Sequence, residues 1–257
     1  MRSDPRRALA VLGVFATLLA ACGTRGDAAA PDAPSELVVF AAASLTEAFA
    51  AVGTAFTATE GGAPVVLNLA GSQTLAAQLL EGAPADVFAA ADEVRMRVVA
   101  DAGLLAATPV PFATNRLAIV VEPGNPRGVG GVADLARDAL VVVLPAAEVP
   151  AGRYARQVLD VAGVDVAPAS LEPDVRAAVA KVALGEADAT LAYTSDVANA
   201  SGRVEGVAIP DEVNVTATYP VGVLAATSQP EVAARFVAFL RSDSGREILA
   251  AHGFGAP

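Results

Sequence analysis

The stretch VVFAAASLTEAFAAV, residues 38–52, sets the pattern for the whole chain. The apolar residues at its start are typical of a buried strand, and a helical pattern begins near Thr46. Between the two segments lie only alanines and Ser44. Small residues at the end of a strand indicate that a ligand comes close to the backbone there, or that Ser44 simply caps the helix.

The same order of strand and helix repeats along the chain. Strands are predicted over 37–42, 64–69, 86–90, 116–121, 140–144, 190–193, 204–209 and 217–224, and helices over 45–59, 73–81, 93–102, 151–162, 175–184 and 231–251. Short apolar strands alternating with helices predict an α/β fold with mostly parallel sheets flanked by helices. A proline- and glycine-rich break over 123–131 separates two such blocks.

Two blocks predict two lobes with a ligand cleft between them. We expect the first lobe to contain residues 36–113 and 220–257 and the second to contain residues 114–219. The chain would then cross between the lobes twice, which makes a hinge.

Composition excludes several classes of protein. The chain has 257 residues, 54% of them apolar, which is enough for a substantial core. Its one Cys and one His, Cys22 and His252, lie near opposite ends, which argues against a disulfide scaffold, a zinc site and a catalytic triad. A formal net charge of −11 argues against a nucleic-acid partner. We therefore expect no enzyme, no cofactor and no direct cation site.

Residues 1–21 have the pattern of a secretory signal peptide, with three arginines ahead of an apolar run over 8–21. The run ends in LAAC, which resembles the bacterial lipobox and implies that Cys22 is lipidated and becomes the new N-terminus. Residues 22–35 would then be a flexible tether. The alternative is an ordinary signal peptide with a chance Cys. Removing residues 1–21, which carry three Arg and one Asp, would change the net charge from −11 to −13.

Four predicted helix starts combine small residues with a hydroxyl or a free backbone N–H. They are AAAS (41–44), AGSQT (70–74), VPAG (149–152) and PDVR (173–176). Helix N-termini have unpaired N–H groups and a partial positive charge, so several aimed at one point bind an oxyanion without Lys or Arg. The alternative is plain capping, because Ser44 and Glu47 fit a capping box and Ser72 and Asp174 are good caps. The residues alone indicate a two-lobed binding protein with an anion as a possible ligand.

The chain resembles the periplasmic molybdate-binding proteins of ABC importers, the ModA family of class II solute-binding folds, over residues 37–254. The resemblance is carried by VFAAASLTEAF (39–49), AGSQTLAAQLLEGAPADVFAAAD (70–92), VPAGRYARQVL (149–159), EPDVRAAVAKV (172–182), LAYTSD (191–196) and YPVGVL (219–224). The segments GAPADVFAAAD and VPAGRYA are the more specific ones. The resemblance implies a two-lobed periplasmic-binding-protein-like fold.

The resemblance also implies a ligand set, namely the hydroxyls of Ser44, Ser72 and Tyr193 and the backbone amides of Ala151 and Val175. It implies an extracytoplasmic, lipid-anchored monomer that binds molybdate and tungstate with high affinity and delivers the oxyanion to the membrane permease of an ABC importer. Molybdenum would be held only as molybdate, through these same residues. The alternative is a receptor of the same fold for sulfate or an organic anion.

Four polar side chains near this set are expected to have other roles. Gln73 either adds a donor or alters the fit, since the family often has a serine run at this place. Asp86 and Asp196 would repel a dianion, so we expect them to be caps or hinge partners. Glu47 is expected to point to solvent when the anion is bound.

Overall fold

The computed structural model describes residues 36–59 and 61–257, which belong to one compact unit. The predictions of a signal peptide over 1–21, a lipidated Cys22 and a tether over 22–35 lie outside the described residues. The described strands are β1 (Leu37–Ala42), β2 (Val65–Ala70), β3 (Val87–Ala89), β4 (Val110–Val121), β5 (Val143–Pro145), β6 (Ser170–Glu172), β7 (Ala189–Tyr193), β8 (Glu205–Ala208) and β9 (Thr216–Val223).

The described helices are α1 (Thr46–Thr57), α2 (Ser72–Leu80), α3 (Glu93–Asp101), α4 (Pro150–Ala162), α5 (Val175–Ala183), α6 (Thr194–Asn199), α7 (Pro230–Leu240) and α8 (Asp243–Ala251). Two 3-10 turns, Ala43–Leu45 and Val132–Ala136, precede α1 and β5. Within the described part of the chain, no helix is both long and apolar enough to cross a bilayer.

One mixed sheet runs through the molecule in the order β2-β1-β3-β9-β4-β7, with β8 also paired to β4. Strand β1 pairs in parallel with β2 and β3, and β5 pairs in parallel with β6, as expected for strand–helix–strand units. Strand β9 pairs antiparallel with β3 and β4, and β4 pairs antiparallel with β7 and β8. The predicted α/β fold is confirmed, and the sheet is mixed because β4 and β9 run against their neighbours.

Strands β4 and β9 connect two parts of the molecule. Residues 110–116 of β4 pair with β9, whereas residues 117–121 pair with β7 and β8. We call β1 to β3 with α1 to α3, α7 and α8 the first lobe, and β5 to β8 with α4 to α6 the second lobe. The predicted boundaries after residues 113 and 219 fall inside these two strands, and that division stays a prediction.

Aromatic rings pack the C-terminal helices onto the first lobe. Phe236 of α7 makes edge contacts with Phe49 and Phe56 of α1, with ring centroids 6.1 and 5.2 Å apart. The prediction of one helix over 231–251 is wrong, because Ser242 starts a new helix by accepting a hydrogen bond from the N–H of Gly245.

Candidate ligand-binding site

A small cavity, with an accessible volume of about 10 Å³, lies between the two lobes. Its described lining residues are Ala42, Ala43, Ser44, Gly71, Ser72, Ala91, Val149, Pro150, Ala151, Asp174, Val175 and Tyr193. All five residues of the predicted ligand set are among them, and none of the lining residues is Lys, Arg or His. Because pockets for drug-sized molecules have volumes of about 300–1,000 Å³, this cavity is too small for such a molecule.

Three of the four helix starts at the cavity have no side-chain cap. The 3-10 turn at Ala43, α2 at Ser72 and α4 at Pro150 have no side-chain hydrogen bond to their first N–H groups. The fourth helix, α5, is capped by Asp174, which accepts from the N–H of Ala177, two residues beyond Val175. These helix starts therefore direct a partial positive charge at the cavity, whose described lining contains no cation.

The capping interpretation is confirmed for Asp174 and is wrong for the two serines. Ser72 is the first residue of α2, and Gly71 occupies the cap position. Ser44 lies inside the 3-10 turn ahead of α1, whose cap position is Leu45. Both serine hydroxyls are therefore available for contacts other than helix capping.

Each serine hydroxyl has a partner in the protein. The Oγ of Ser72 accepts from the N–H of Ala91 at 3.0 Å, and Ser72 is 1% exposed. The Oγ of Ser44 lies 3.0 Å from the phenol oxygen of Tyr219, and both residues are buried. An amide can only donate, so the hydroxyl hydrogen of Ser72 is free to point elsewhere, and the cavity is the space it faces. Sequence reasoning gave Tyr219 no role at the site.

Tyr193 has no such partner. Its side chain is buried, and its hydroxyl oxygen has no hydrogen-bond partner of normal geometry among the described residues. A buried hydroxyl without a partner destabilises a protein by about 1–3 kcal/mol. Burial raises the pKa of Tyr193 well above its usual value, with the neighbouring Tyr219 adding to the effect, so the group remains an O–H donor.

The two aspartates expected as caps or hinge partners both have structural hydrogen bonds. Asp196 accepts from the N–H of Tyr193 at 2.9 Å at the start of α6, so its capping role is confirmed. Burial raises the pKa of Asp196 to about 7, although the hydrogen bond from Tyr193 opposes that shift. Asp86 accepts from the N–H of Val38 and from the hydroxyl of Thr227, so it ties β1 to the chain after β9.

Glu47 and Gln73 contact the opposite lobe. Both carboxylate oxygens of Glu47 lie 2.8 Å from Nη1 of Arg176, so Glu47 does not fold back on Ser44, and its orientation with the anion bound stays a prediction. The Nε2 of Gln73 donates to the carbonyl of Pro173 at 2.8 Å, while its Oε1 is buried without a partner. Gln73 therefore joins the lobes and does not line the cavity.

The two more specific sequence segments meet across the same cleft. Asp92, at the end of GAPADVFAAAD, is fully buried, and its Oδ2 lies 2.6 Å from Nη2 of Arg153 in VPAGRYA. Asp92 also caps α3 through the N–H of Arg95, whose guanidinium donates to the carbonyl of Glu148 at 2.6 Å. These contacts hold the two lobes closed over the cavity.

Two lobes closed over a small cavity define a solute-binding protein. The sequence profile described as bacterial extracellular solute-binding protein matches residues 37–255, and this chain belongs to that family. It is similar to the molybdate-binding protein ModA of Mycobacterium tuberculosis, with 43% identity over 243 residues and 93% of each chain covered. Members of this family are transport components, so the chain is not an enzyme.

Two solved structures share the fold. The periplasmic molybdate-binding protein of Azotobacter vinelandii has a TM-score of 0.74 and 20% identity, with 86% of this chain and 99% of that chain covered. The sulfate-binding protein SubI of Mycobacterium tuberculosis has a TM-score of 0.75 and 20% identity, with 86% of each chain covered. At this identity both likenesses concern the fold alone.

Proposed function

We propose that this protein is an extracytoplasmic receptor that binds molybdate, and equally tungstate, with high affinity. The observation that carries the proposal is the buried hydroxyl of Tyr193, which has no partner of normal geometry among residues 36–59 and 61–257 and faces a cavity shared with Ser44 and Ser72. Such donors are satisfied only by an acceptor. A tetrahedral dianion offers four acceptor oxygens, and uncapped helix starts favour negative charge.

The five predicted residues would share the work of binding. Ser44, Ser72 and Tyr193 donate hydroxyl hydrogens, and Ala151 and Val175 donate backbone N–H groups. The molybdate-binding relatives support molybdate as the ligand, and tungstate has nearly the same size. Molybdenum would be enclosed by its own oxygens, so the site requires neither a cation ligand nor a cofactor.

Sulfate is the second candidate, since a sulfate-binding protein shares the fold. Sulfate offers the same charge and the same number of oxygens, and it differs in being smaller. A cage that closes on molybdate would leave some of its donors too far from sulfate, which weakens binding. An organic anion would need more room than this small cavity provides.

Calorimetry on the compact unit 34–257 tests the proposal, with molybdate, tungstate, sulfate and phosphate as separate titrants. We expect one-to-one binding of molybdate and tungstate at micromolar concentrations or below. Sulfate should bind at least about 100-fold more weakly, a difference of about 2.7 kcal/mol. Tighter binding of sulfate than of molybdate would favour the second candidate, and no heat from any anion would contradict both.

We propose further that residues 1–21 are removed, that Cys22 carries the lipid, and that the monomer delivers its oxyanion to the permease of an ABC importer. The LAAC segment and the transport family support this. A Cys22→Ser variant of the full chain should move from the membrane fraction to the soluble fraction, and mass spectrometry should find lipid on wild-type Cys22 only. Equal fractionation of the two proteins would contradict the anchor.

Delivery and oligomeric state have their own measurements. Light scattering on the molybdate-loaded protein should give the mass of one chain. Deleting the gene for the protein should abolish molybdate uptake at limiting concentration, and a copy that cannot bind molybdate should not restore it. Unchanged molybdate uptake after the deletion would contradict the proposal that the protein delivers molybdate to the importer.

A further inference from the structure

Tyr219 contacts Ser44 of the candidate site, although the sequence around Tyr219 does not indicate this contact. It lies on β9, one of the two strands that connect the lobes, and its phenol oxygen is 3.0 Å from the Oγ of Ser44. The two residues are 175 positions apart in the chain. Edge contacts with Phe112, Tyr193 and Phe254, at centroid distances of 6.3, 5.7 and 5.4 Å, fix the ring in place.

The hydrogen bond between Ser44 and Tyr219 has two possible directions, and only one of them suits an anion. A serine hydroxyl has one hydrogen and two lone pairs. If Ser44 donated to Tyr219, it would present only lone pairs to the cavity, and a dianion would be repelled by them. If Tyr219 donates to Ser44, the single hydrogen of Ser44 is free for the ligand.

The structure favours the second direction. Among the described residues, the bond to Ser44 is the one side-chain hydrogen bond of normal geometry that Tyr219 makes, so the Oγ of Ser44 is the best-placed acceptor for the phenol hydrogen. Burial raises the pKa of Tyr219 well above its usual value, so the phenol keeps that hydrogen. Ser72 is arranged in the same way, because it accepts from the N–H of Ala91.

We propose that Tyr219 is a positioning residue that fixes Ser44 as a donor and thereby selects oxyanions without a proton. The proposal rests on the proposed function and adds the origin of its selectivity. Inorganic phosphate carries at least one O–H at neutral pH, and that group needs an acceptor. Ser44 and Ser72 each direct their one hydrogen at the ligand and accept a hydrogen bond from the protein, so they offer the phosphate O–H fewer free lone pairs than unpaired hydroxyls would.

The variant Tyr219→Phe tests the proposal, because it removes the hydroxyl and keeps the packed ring. Molybdate should bind about three- to tenfold more weakly, the range for one neutral hydrogen bond. Phosphate binding should stay the same or tighten, because Ser44 can now turn its lone pairs to the phosphate O–H. The ratio of the phosphate dissociation constant to the molybdate dissociation constant should therefore fall. Ligand-free unfolding of the variant serves as the control for folding.

A double-mutant cycle decides whether Tyr219 acts through Ser44. In a Ser44→Ala background, Tyr219→Phe should change the molybdate dissociation constant by less than about twofold, since its target is gone. An equal loss in both backgrounds, or equal losses for molybdate and phosphate, would overturn the proposal while leaving the proposed function intact. A wild-type protein that binds none of the anions would overturn both.

Discussion

Replacing Arg153 by Met removes a charge that the closed cleft depends on. Arg153 is 26% exposed, its partner Asp92 has a fully buried side chain, and the two charged atoms are 2.6 Å apart. Breaking a buried ion pair from one side destabilises by about 3–5 kcal/mol, because a buried charge is left unpaired. Since Arg153 is partly exposed and Asp92 keeps its hydrogen bond from the N–H of Arg95, we expect about 2–3 kcal/mol.

The state of the protein that loses this free energy shows what the ion pair stabilises. Arg153 and Asp92 belong to different lobes, so an open, ligand-free protein has no such pair to lose. The whole effect of Arg153→Met should then fall on the closed, ligand-bound state. The dissociation constant for molybdate should rise about 30- to 150-fold, and the unfolding free energy of the ligand-free protein should not change.

Calorimetry measures the dissociation constant for molybdate, and urea unfolding without molybdate measures the unfolding free energy of the ligand-free protein. The variant Arg116→Met is the matched control, because its ion pair with Asp211 is exposed, at 40% and 82%, and should be worth less than about 1 kcal/mol. Adding Asp92→Asn to Arg153→Met should restore part of the affinity, since the unpaired charge is gone. An unchanged dissociation constant with ligand-free stability lowered by 2–3 kcal/mol would refute the reasoning, because the pair would then persist without ligand.

Three further variants follow from particular contacts. Tyr193→Phe should weaken molybdate binding about tenfold in calorimetry, because it removes a hydroxyl donor to the anion; an unchanged dissociation constant would show that the hydroxyl does not contact the ligand. Because burial raises the pKa of Asp196 to about 7, the ionised side chain destabilises the folded protein. This destabilisation is absent below about pH 4, grows between pH 4 and pH 7 and is complete above pH 7. Asp196→Asn should therefore be more stable than the wild type at pH 8, by up to about 4 kcal/mol in urea unfolding, and no more stable at pH 4. Gly152→Ala would place a Cβ 2.0 Å from the carbonyl oxygen of Ala146, so α4 must shift. The unfolding free energy should fall by about 1–3 kcal/mol, and molybdate should bind more weakly. The control Gly131→Ala, where a Cβ meets nothing within 4 Å, should change neither the unfolding free energy nor the molybdate affinity.

The elements of the fold were predictable where the signal was local. Strand β1 occupies the predicted residues 37–42, and α1 to α5 begin within one residue of their predicted starts. Apolar periodicity and small residues at helix starts involve only a few neighbouring positions. A single sequence is therefore enough to predict where these strands and helices begin. The break between α7 and α8 was missed because Ser242 sits in an otherwise continuous helical pattern, and only its cap bond to Gly245 shows the break.

The contacts around the cavity were not predictable in the same way. Nothing near Ser44 in the sequence indicates that Tyr219 is its partner, and nothing near Glu47 indicates Arg176. The S-x-x-E pattern even favoured a capping box, a local alternative that the structure does not form. Contacts between distant segments depend on how strands β4 and β9 bring the lobes together, and pairing between distant strands leaves no periodic trace.

Closure and ligand binding are coupled by the way the donors are divided. Ser44 and Ser72 belong to the first lobe, whereas Ala151, Val175 and Tyr193 belong to the second, so an anion between them joins the lobes directly. Closure without an anion buries the hydroxyl of Tyr193 with no partner of normal geometry in the described part of the chain, and this opposes closure.

Contacts across the cleft act in the opposite direction. The ion pairs of Glu47 with Arg176 and of Asp92 with Arg153 form only when the lobes meet, so they favour closure. The exposed pair contributes little, and the buried one must first offset the loss of water around Asp92. The balance between the open and the closed state of the ligand-free protein is therefore set by these opposing contributions. A ligand that satisfies the buried donors then decides between them, because it interacts with the closed state alone.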